Sequence, residues 1–392
     1  MYLVRRFLLT LGLGTLALSA WAQNQVFLPP FAPVSPIVTA QGRAYTAVAQ
    51  GYDALFTNPA GFSFSPLTVT LLSVQGTLNA SPTQASSVLN NLSAFQNLNA
   101  SSFNSSATFV QNLVSHYGIG ESVNAGIGWV GNNLGLAIAL QEDSWAKGQN
   151  LLSTTGTIDE TLGMVLGYSI PFDFKWAKLH MGVDAHPMQR TYTDSVGLTD
   201  VLGSTANLNS IPVYNGFGIG WDWGTILDFG MTKSGAWTAG VALRDIGSTV
   251  FNFHQTTLGD VIHNLGFVNP SGAVPTNTYR IPMVIAMGGS WQPNMGARQG
   301  IIDPRLEADL QIPLEDSFTQ PSFWTWIHLG GQVTFLKFLS VRAGLNQGYF
   351  TFGFGVKMAV LDLNASIYSD ELGQFAGVLP KPGISVETAI RF

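Results

Sequence analysis

The sequence predicts an all-β fold: a transmembrane outer-membrane β-barrel of about 14 antiparallel strands with an N-terminal segment plugging its interior. Three observations carry that expectation. Hydrophobic residues make up 46% of the 392 residues and charged ones only 10%, with 43 glycines and a mean hydropathy of +0.23, an odd balance for a soluble protein. Beyond the first turns of the chain no run of about 20 apolar residues exists, so helical membrane spans are excluded. Apolar side chains instead recur at every second position, as they do in strands of about 10 residues with hydrocarbon on one side and water on the other.

Residues 1–22 hold Arg5 and Arg6, an apolar run from Phe7 to about Ala20, and the small-residue site Ala20-Trp21-Ala22. This is the pattern of a secretory signal peptide, set aside from the fold. Without Arg5 and Arg6 the 17 basic residues fall to 15 against 23 acidic ones, a formal charge of −8. That balance argues against a nucleic-acid partner. With no cysteine in the chain, disulfides, thiolate metal sites and a lipid anchor are excluded.

Residues 23–65 form the second unit. Gly42 to Ser63 reads GRAYTAVAQGYDALFTNPAGFS. In Asn58-Pro59-Ala60-Gly61, a residue tolerant of left-handed geometry, a φ-locked proline and a permissive glycine specify a tight turn. A compact segment ahead of a barrel can sit inside it.

Residues 66–392 carry the alternation. Leu67, Val69 and Leu71 open the first strand. Residues 77–120 lack strand character: Ser81-Pro82 has N-cap and N1 chemistry, and Val88, Leu92 and Phe95, then Phe109, Val110, Leu113 and Val114, recur at helical spacing. Two short amphipathic helices fit this stretch, as does an Asn/Ser-rich flexible loop. Val123 to Trp129 and Leu134 to Leu140 alternate around Gly131-Asn132-Asn133, a hairpin connection. The rows Leu162 to Ile170, Leu179 to Ala185, Phe217 to Phe229, Trp237 to Leu243, Ile281 to Met287 and Leu306 to Ile312 follow, with long loops at 191–215 and 247–279.

Opposite Leu306 to Ile312 stand Arg305, Glu307, Asp309 and Gln311. A charge at the bilayer midplane costs about 2–4 kcal/mol, so that face must look into water. Five closely spaced strands end the chain: Ile327 to Phe335, Leu339 to Leu345, Phe350 to Met358, Leu361 to Ile367 and Ile384 to Phe392. The last keeps its apolar residues on one parity, as a closing strand does, and its terminal aromatic resembles the assembly signal of outer-membrane barrels.

The order Ala44-Tyr45-Thr46-Ala47, a polar spacer, Ala54-Leu55-Phe56 and Asn58-Pro59-Ala60-Gly61 resembles the N-terminal hatch of the FadL/TodX family. These are outer-membrane channels for long-chain fatty acids and other hydrophobic compounds, with fourteen strands and an N-terminal plug. Leu243-Arg244-Asp245-Ile246-Gly247 adds a local echo. The resemblance implies a monomer in the cell outer membrane that takes up a hydrophobic or amphipathic small molecule, chiefly a long-chain fatty acid, through a pocket beside the hatch. Passive diffusion suffices, so no cofactor is implied. The same spacing around the NPA turn occurs in a barrel branch serving secretion systems, which keeps a second function open: a scaffold that docks a secretion or surface-assembly partner.

No catalytic motif appears, and a non-enzyme is expected. Glycines on inner faces, such as Gly216, Gly218, Gly220, Gly353 and Gly355, would let the plug approach the wall. His180, Asp184 and His186 share a face, but at about 3.3 Å per residue the histidines stand roughly 20 Å apart. One ion cannot hold all three, and an Asp184/His186 pair would need ligands from neighbouring strands, so no metal site is assigned. The lumen cations Arg244, Arg305, Arg342, Lys357 and Arg391, together with Arg43 in the turn motif, are candidates for an anionic head group, with Arg43, Arg244 and Arg342 taken as ligand-binding. The alternative is pairing with Glu307, Asp309, Asp362 or Glu387. Asn58, Pro59 and Ala60 at the turn, and Phe95 and Phe109 in the loop helices, complete the ligand-binding candidates.

Overall fold

The computed structural model describes residues 25–90, 111–112, 114–115, 117–149, 153–197, 208–268, 272–314 and 322–392. The expected signal peptide lies outside the described residues. The strands are β1 (Gln25–Phe27), β2 (Thr68–Asn79), β3 (Ile119–Gly131), β4 (Leu134–Lys147), β5 (Thr155–Asp173), β6 (Lys178–Gly197), β7 (Pro212–Met231), β8 (Ala236–Arg244) and β9 (Thr249–Val250). They continue with β10 (Asn252–Thr257), β11 (Thr278–Ile281), β12 (Met283–Gln292), β13 (Ile302–Leu314), β14 (Ile327–Phe335), β15 (Leu339–Asn346), β16 (Tyr349–Met358), β17 (Leu361–Glu371) and β18 (Pro380–Arg391). Short helices are α1 (Pro36–Ala40), α2 (Gly61–Phe64), α3 (Pro82–Asn90) and α4 (Leu258–His263).

Fourteen of these strands, β2 to β8 and β12 to β18, pair antiparallel in one ring. β18 closes on β2, and Val69 and Phe392 exchange backbone hydrogen bonds of 3.1 and 3.0 Å at that seam. The expected barrel and strand number are therefore what the chain forms. Closure pairs the first wall strand with the last, so backbone groups along that seam find partners without water.

The alternation decides which side each residue takes. Leu134, Leu136 and Ile138 of β4 are exposed outside, while Ala137 and Ala139 are buried inside. Leu166, Tyr168 and Ile170 of β5, and Phe352 and Phe354 of β16, continue the same apolar exterior. A belt of this kind fits hydrocarbon rather than water. No helix among the described residues is long and apolar enough to cross a membrane.

The structure corrects several boundaries. β2 continues to Asn79 and β6 to Gly197, where a loop was expected from 77 and from 191. β6 and β7 have 20 residues each; tilted by about 45° they rise on the order of 45 Å, well beyond a hydrocarbon layer of about 30 Å. Above the lipid both faces are wet, so the alternation that marks a strand in sequence disappears. Within β2 the register shifts between Thr70 and Ser73, and Leu71 and Leu72 both face outward, as a bulge allows. In the first long loop, Ser81 and Gln84 cap α3 reciprocally: Gln84 N donates to Ser81 Oγ and Ser81 N to Gln84 Oε1.

The stretch expected as a loop at 247–279 is the largest departure. β8 stops at Arg244, and Asp245, Gly247 and Ser248, all at positive φ, turn the chain inward. β9 then pairs with β11 and β11 with β1, a small sheet of three strands. Ile281, expected on the lipid face, is fully buried in that sheet. β10 returns to the upper end of β7, pairing at Pro212 to Phe217, whereas β8 pairs with β7 only from Trp223 downward. Between them the ladder is interrupted, bridged by one bond from Ile246 N to Trp221 O.

Candidate functional site

Residues 28–65 lie within the ring, and most are buried. Their apolar side chains, among them Phe31, Tyr52, Leu55, Phe56 and Phe62, form one cluster with the inward-facing Ala137, Ala139, Val165, Met188 and Ile226. Burying aromatics of this size stabilises by roughly 1.5–3 kcal/mol each. Polar atoms of the segment are met one by one by the wall.

Asn58 is wholly buried. Its Oδ1 accepts the Ala60 amide at 3.0 Å, and its Nδ2 donates to the carbonyls of Thr46 at 2.9 Å and Thr225 of β7 at 3.2 Å. One side chain thus closes the turn, ties it to the segment's first half and fixes it to the barrel. Pro59 lies against Gly182 and Gly224, which face each other across β6 and β7. A Cβ on Gly182 would collide with the Pro59 carbonyl, and one on Gly224 with the Asn58 amide. The wall is bare backbone where the turn touches it.

At the other end, Ser35 caps α1, and Gly42 and Arg43 follow at φ +62° and +63°. Arg43 reaches β17, donating from Nε and Nη2 to the two oxygens of Asp370 at 2.9 and 2.8 Å. Its carbonyl accepts from Gln311 Nε2 at 2.9 Å. Asp309 of β13 accepts both the Tyr45 and Thr46 amides, at 2.9 and 2.8 Å. His328 meets the Gly42 carbonyl at 2.9 Å and Thr351 donates to the Ala40 carbonyl at 2.8 Å. Inside the segment, Asp53 accepts from Ser35 N and Oγ, both at 2.7 Å. Burial, reinforced by Glu387, pushes the Asp53 carboxyl up from its ordinary value despite those two bonds.

The candidate cations separate into two kinds. Arg43, Arg305 and Arg391 are paired, with Asp370, with Glu307, and with Asp362 and Glu387. Arg244 and Arg342 are in none of the ion pairs among the described residues. Arg342 donates to Gln332 at 2.7 Å and Asn364 at 3.2 Å. Arg244 donates to Gln311 at 3.0 Å, and its buried Nε has no partner. Arg244 also lines both of two small cavities beside the segment. One is bounded by Phe31, Leu55, Phe56, Val165 and His186, the other by Val34, Val38, Arg43 and Tyr45. Each has room for about one to two waters. The structure thus brings Arg43 and Arg244 to one cavity, places Asn58, Pro59 and Ala60 against β6 and β7, and leaves Arg342 on β15, in neither cavity. Phe95 and Phe109 lie outside the described residues.

The chain is similar to channels of the FadL/TodX type. Among solved structures it matches the toluene transporter TodX of Pseudomonas putida at 12% identity, over 94% of this chain and 99% of that one, with a TM-score of 0.47. The monoaromatic hydrocarbon channel CymD matches at 11% identity over 93% and 98%, TM-score 0.47, and the toluene transporter TbuX of Ralstonia pickettii at 9% over 95% and 98%, TM-score 0.46. No family model matches the sequence, and no curated protein matches it significantly.

What sequence reasoning missed is the gathering of Asp184, His186, Asp222 and Asp245. His186 Nδ1 lies 3.2 Å from Asp184 and 3.9 Å from Asp222, and Nε2 lies 3.2 Å from Asp245. Asp184 and His186 were visible as neighbours on one face of β6. Their partners come from β7 and from the turn after β8, and the only signal for them was polar residues on the inner parity of an otherwise glycine-rich strand.

Proposed function

We propose that the chain is a monomeric outer-membrane channel that takes up a hydrophobic or amphipathic small molecule, with residues 23–65 as its hatch. A long-chain fatty acid is the ligand that best suits its chemistry. The observation that carries this reading is Arg244: a partly buried arginine with a buried, unpartnered Nε, shared by two cavities of mixed polar and apolar lining. In the second cavity, clear of Asp222 and Asp245, a carboxylate would find a charge-assisted partner in Arg244 while its chain lies along Val34 and Val38.

Both cavities are too small for such a ligand, so passage requires the hatch to move. Asn58 is the natural release point, because one side chain holds the turn to β7 and to Thr46 at once. The ligand then leaves toward the periplasm, or sideways where β8 and β10 leave β7 unpaired. The first long loop, which carries α3, would serve as the outer landing surface.

Binding of a radiolabelled or fluorescent C16 fatty acid to the purified barrel tests this, beside the matching C16 alcohol. We expect the acid to bind more tightly than the alcohol, and Arg43→Ala, Arg244→Ala to abolish the difference. Equal, negligible binding of the acid to wild type and the double variant overturns the reading. Recovery of a stoichiometric protein partner with a lipid-free lumen would favour the docking scaffold instead.

A further inference from the structure

We propose that Asp184, His186 and Asp222 form a binding site for a borderline first-row divalent cation, with Zn2+ the best-suited occupant and Mn2+ next. The site is independent of the transported ligand. Asp184 and His186 lie two apart on the inner face of β6, and Asp222 stands directly opposite Asp184 on β7. One donor atom from each of the three falls within 4.8 Å of the others. The separations from His186 Nδ1 are 3.2 Å to Asp184 Oδ1 and 3.9 Å to Asp222 Oδ1. Donors about 2.1 Å from a tetrahedral ion stand about 3.4 Å apart, and both separations from His186 Nδ1 are within about half an ångström of that.

Two further observations point to a cation rather than to a self-sufficient hydrogen-bonded cluster. Asp184 is nine-tenths buried and more, and its second oxygen, Oδ2, has no hydrogen-bond partner. The charges also do not balance. Asp184, Asp222 and Asp245 bring three carboxylates to one imidazole, all four buried, and Arg244, which lines the same cavity while bonding to Gln311, is the one further basic group there among the described residues, so acids outnumber bases by three to two. A buried carboxylate in excess of its counter-charges is costly. An ion between Asp184, Asp222 and His186 Nδ1 removes that deficit by replacing a proton.

The other imidazole nitrogen is already arranged for this. His186 Nε2 faces Asp245 Oδ1 at 3.2 Å. Asp245 is itself held by Thr249 Oγ1 at 2.6 Å and donates its amide to Asp222 at 2.7 Å. A carboxylate on the far side of a ligating histidine fixes the tautomer that frees Nδ1 for metal. A cavity with room for about one water adjoins His186, Asp222 and Asp245, where a fourth ligand fits. One nitrogen with two carboxylates suits Zn2+ or Mn2+ over the all-oxygen preference of Ca2+ and Mg2+. The ion would pin the turn after β8 to β6 and β7 at the place where the ladder is interrupted.

The test uses the full-length processed barrel in detergent, stripped with a chelator, dialysed against micromolar ZnCl2, MnCl2 or MgCl2, and assayed for retained metal by mass spectrometry. Wild type is expected to keep about one Zn2+ per chain, less Mn2+ and no Mg2+, with a melting temperature that rises on Zn2+ addition. Asp184→Asn and Asp222→Asn should lose the ion. Asp245→Asn, which leaves all three ligands in place, should weaken it about 10- to 100-fold. His254→Gln, on β10 opposite Asn215, should change nothing. Wild type without retained Zn2+, or Asn variants retaining as much as wild type, overturns the proposal. Should the ligand variants not fold, the Asp245→Asn affinity and the wild-type melting shift decide it alone.

Discussion

Replacing Asn58 by alanine tests the hatch most directly. The substitution removes two short hydrogen bonds, from Ala60 N at 3.0 Å and to Thr46 O at 2.9 Å, and two longer ones, to Thr225 O at 3.2 Å and Val241 O at 3.4 Å. A bond of this kind is worth about 0.5–1.5 kcal/mol net, and a buried amide left without an acceptor costs about 1–3 kcal/mol. Ala60 is fully buried, so its orphaned N–H is not rescued by water. Docking of the segment should weaken by on the order of 3 kcal/mol, and at about 1.4 kcal/mol per decade the undocked population rises on the order of 100-fold. Hydrogen exchange read by mass spectrometry gives the answer peptide by peptide. Peptides within 42–64 should exchange about that much faster, while those of β4 and β5 keep their protection. Asn58→Asp should cost at least as much, because its carboxylate would face the Thr46 and Thr225 carbonyls. Should 42–64 stay as protected as in wild type, or should β4 and β5 lose protection in step with it, the segment is not a separately movable hatch.

Three further substitutions probe the rest of the argument. Ile138→Arg places a charge in the middle of the apolar belt and should cost about 2–4 kcal/mol in urea titrations of the barrel folded into phosphatidylcholine vesicles; a loss below about 0.5 kcal/mol would mean that no hydrocarbon lies there. Gly224→Val puts side-chain atoms where the Asn58 amide sits, and should leave the ring folded by circular dichroism while residues 42–64 become open to protease; unchanged resistance would show the contact to be dispensable. Asp370→Asn removes the charge and one of the two oxygens that accept from Arg43, and because both side chains are about a quarter exposed the loss should be only about 1 kcal/mol, seen as faster exchange at 39–45 without change at 58–63.

How much of this was legible in the sequence follows from where each signal originates. Lipid contact forces one parity, so Leu134 to Leu140 and Leu162 to Ile170 read correctly as strands and gave the right lipid face. The same physics made β6 and β7 look shorter than they are, because above the hydrocarbon Thr191, Thr193 and Asn215 face partners that do not select apolar residues. The expected role of inner-face glycines was legible at Gly353, against whose backbone the Ala40 methyl rests. It was wrong at Gly216 and Gly218, which meet Phe253 and Phe251, at Gly220, which meets the His186 ring, and at Gly355, which meets Asn364 and Arg342 rather than the inner segment. β9 and β11 are too short to carry a period. The pairing of Arg43 with Asp370, 327 positions apart, and the convergence of Asp222 and Asp245 on His186 depend on which strands become neighbours, and no local pattern encodes that.

The seam between β18 and β2 has a bearing on how the molecule is made. The polypeptide leaves the interior at Ser65 and begins the first wall strand at Thr68, so the inner portion is tethered only a few residues from the last join to form. Val69 is at once the neighbour of that tether and the partner of Phe392. The turn at Pro59 and the rings of Phe31 and Phe62 press on the bare backbone of Gly135, Gly163, Gly167 and Gly182, contacts that are easiest to make while the ring is still open. Within this chain what is enclosed precedes the strand that shuts the container.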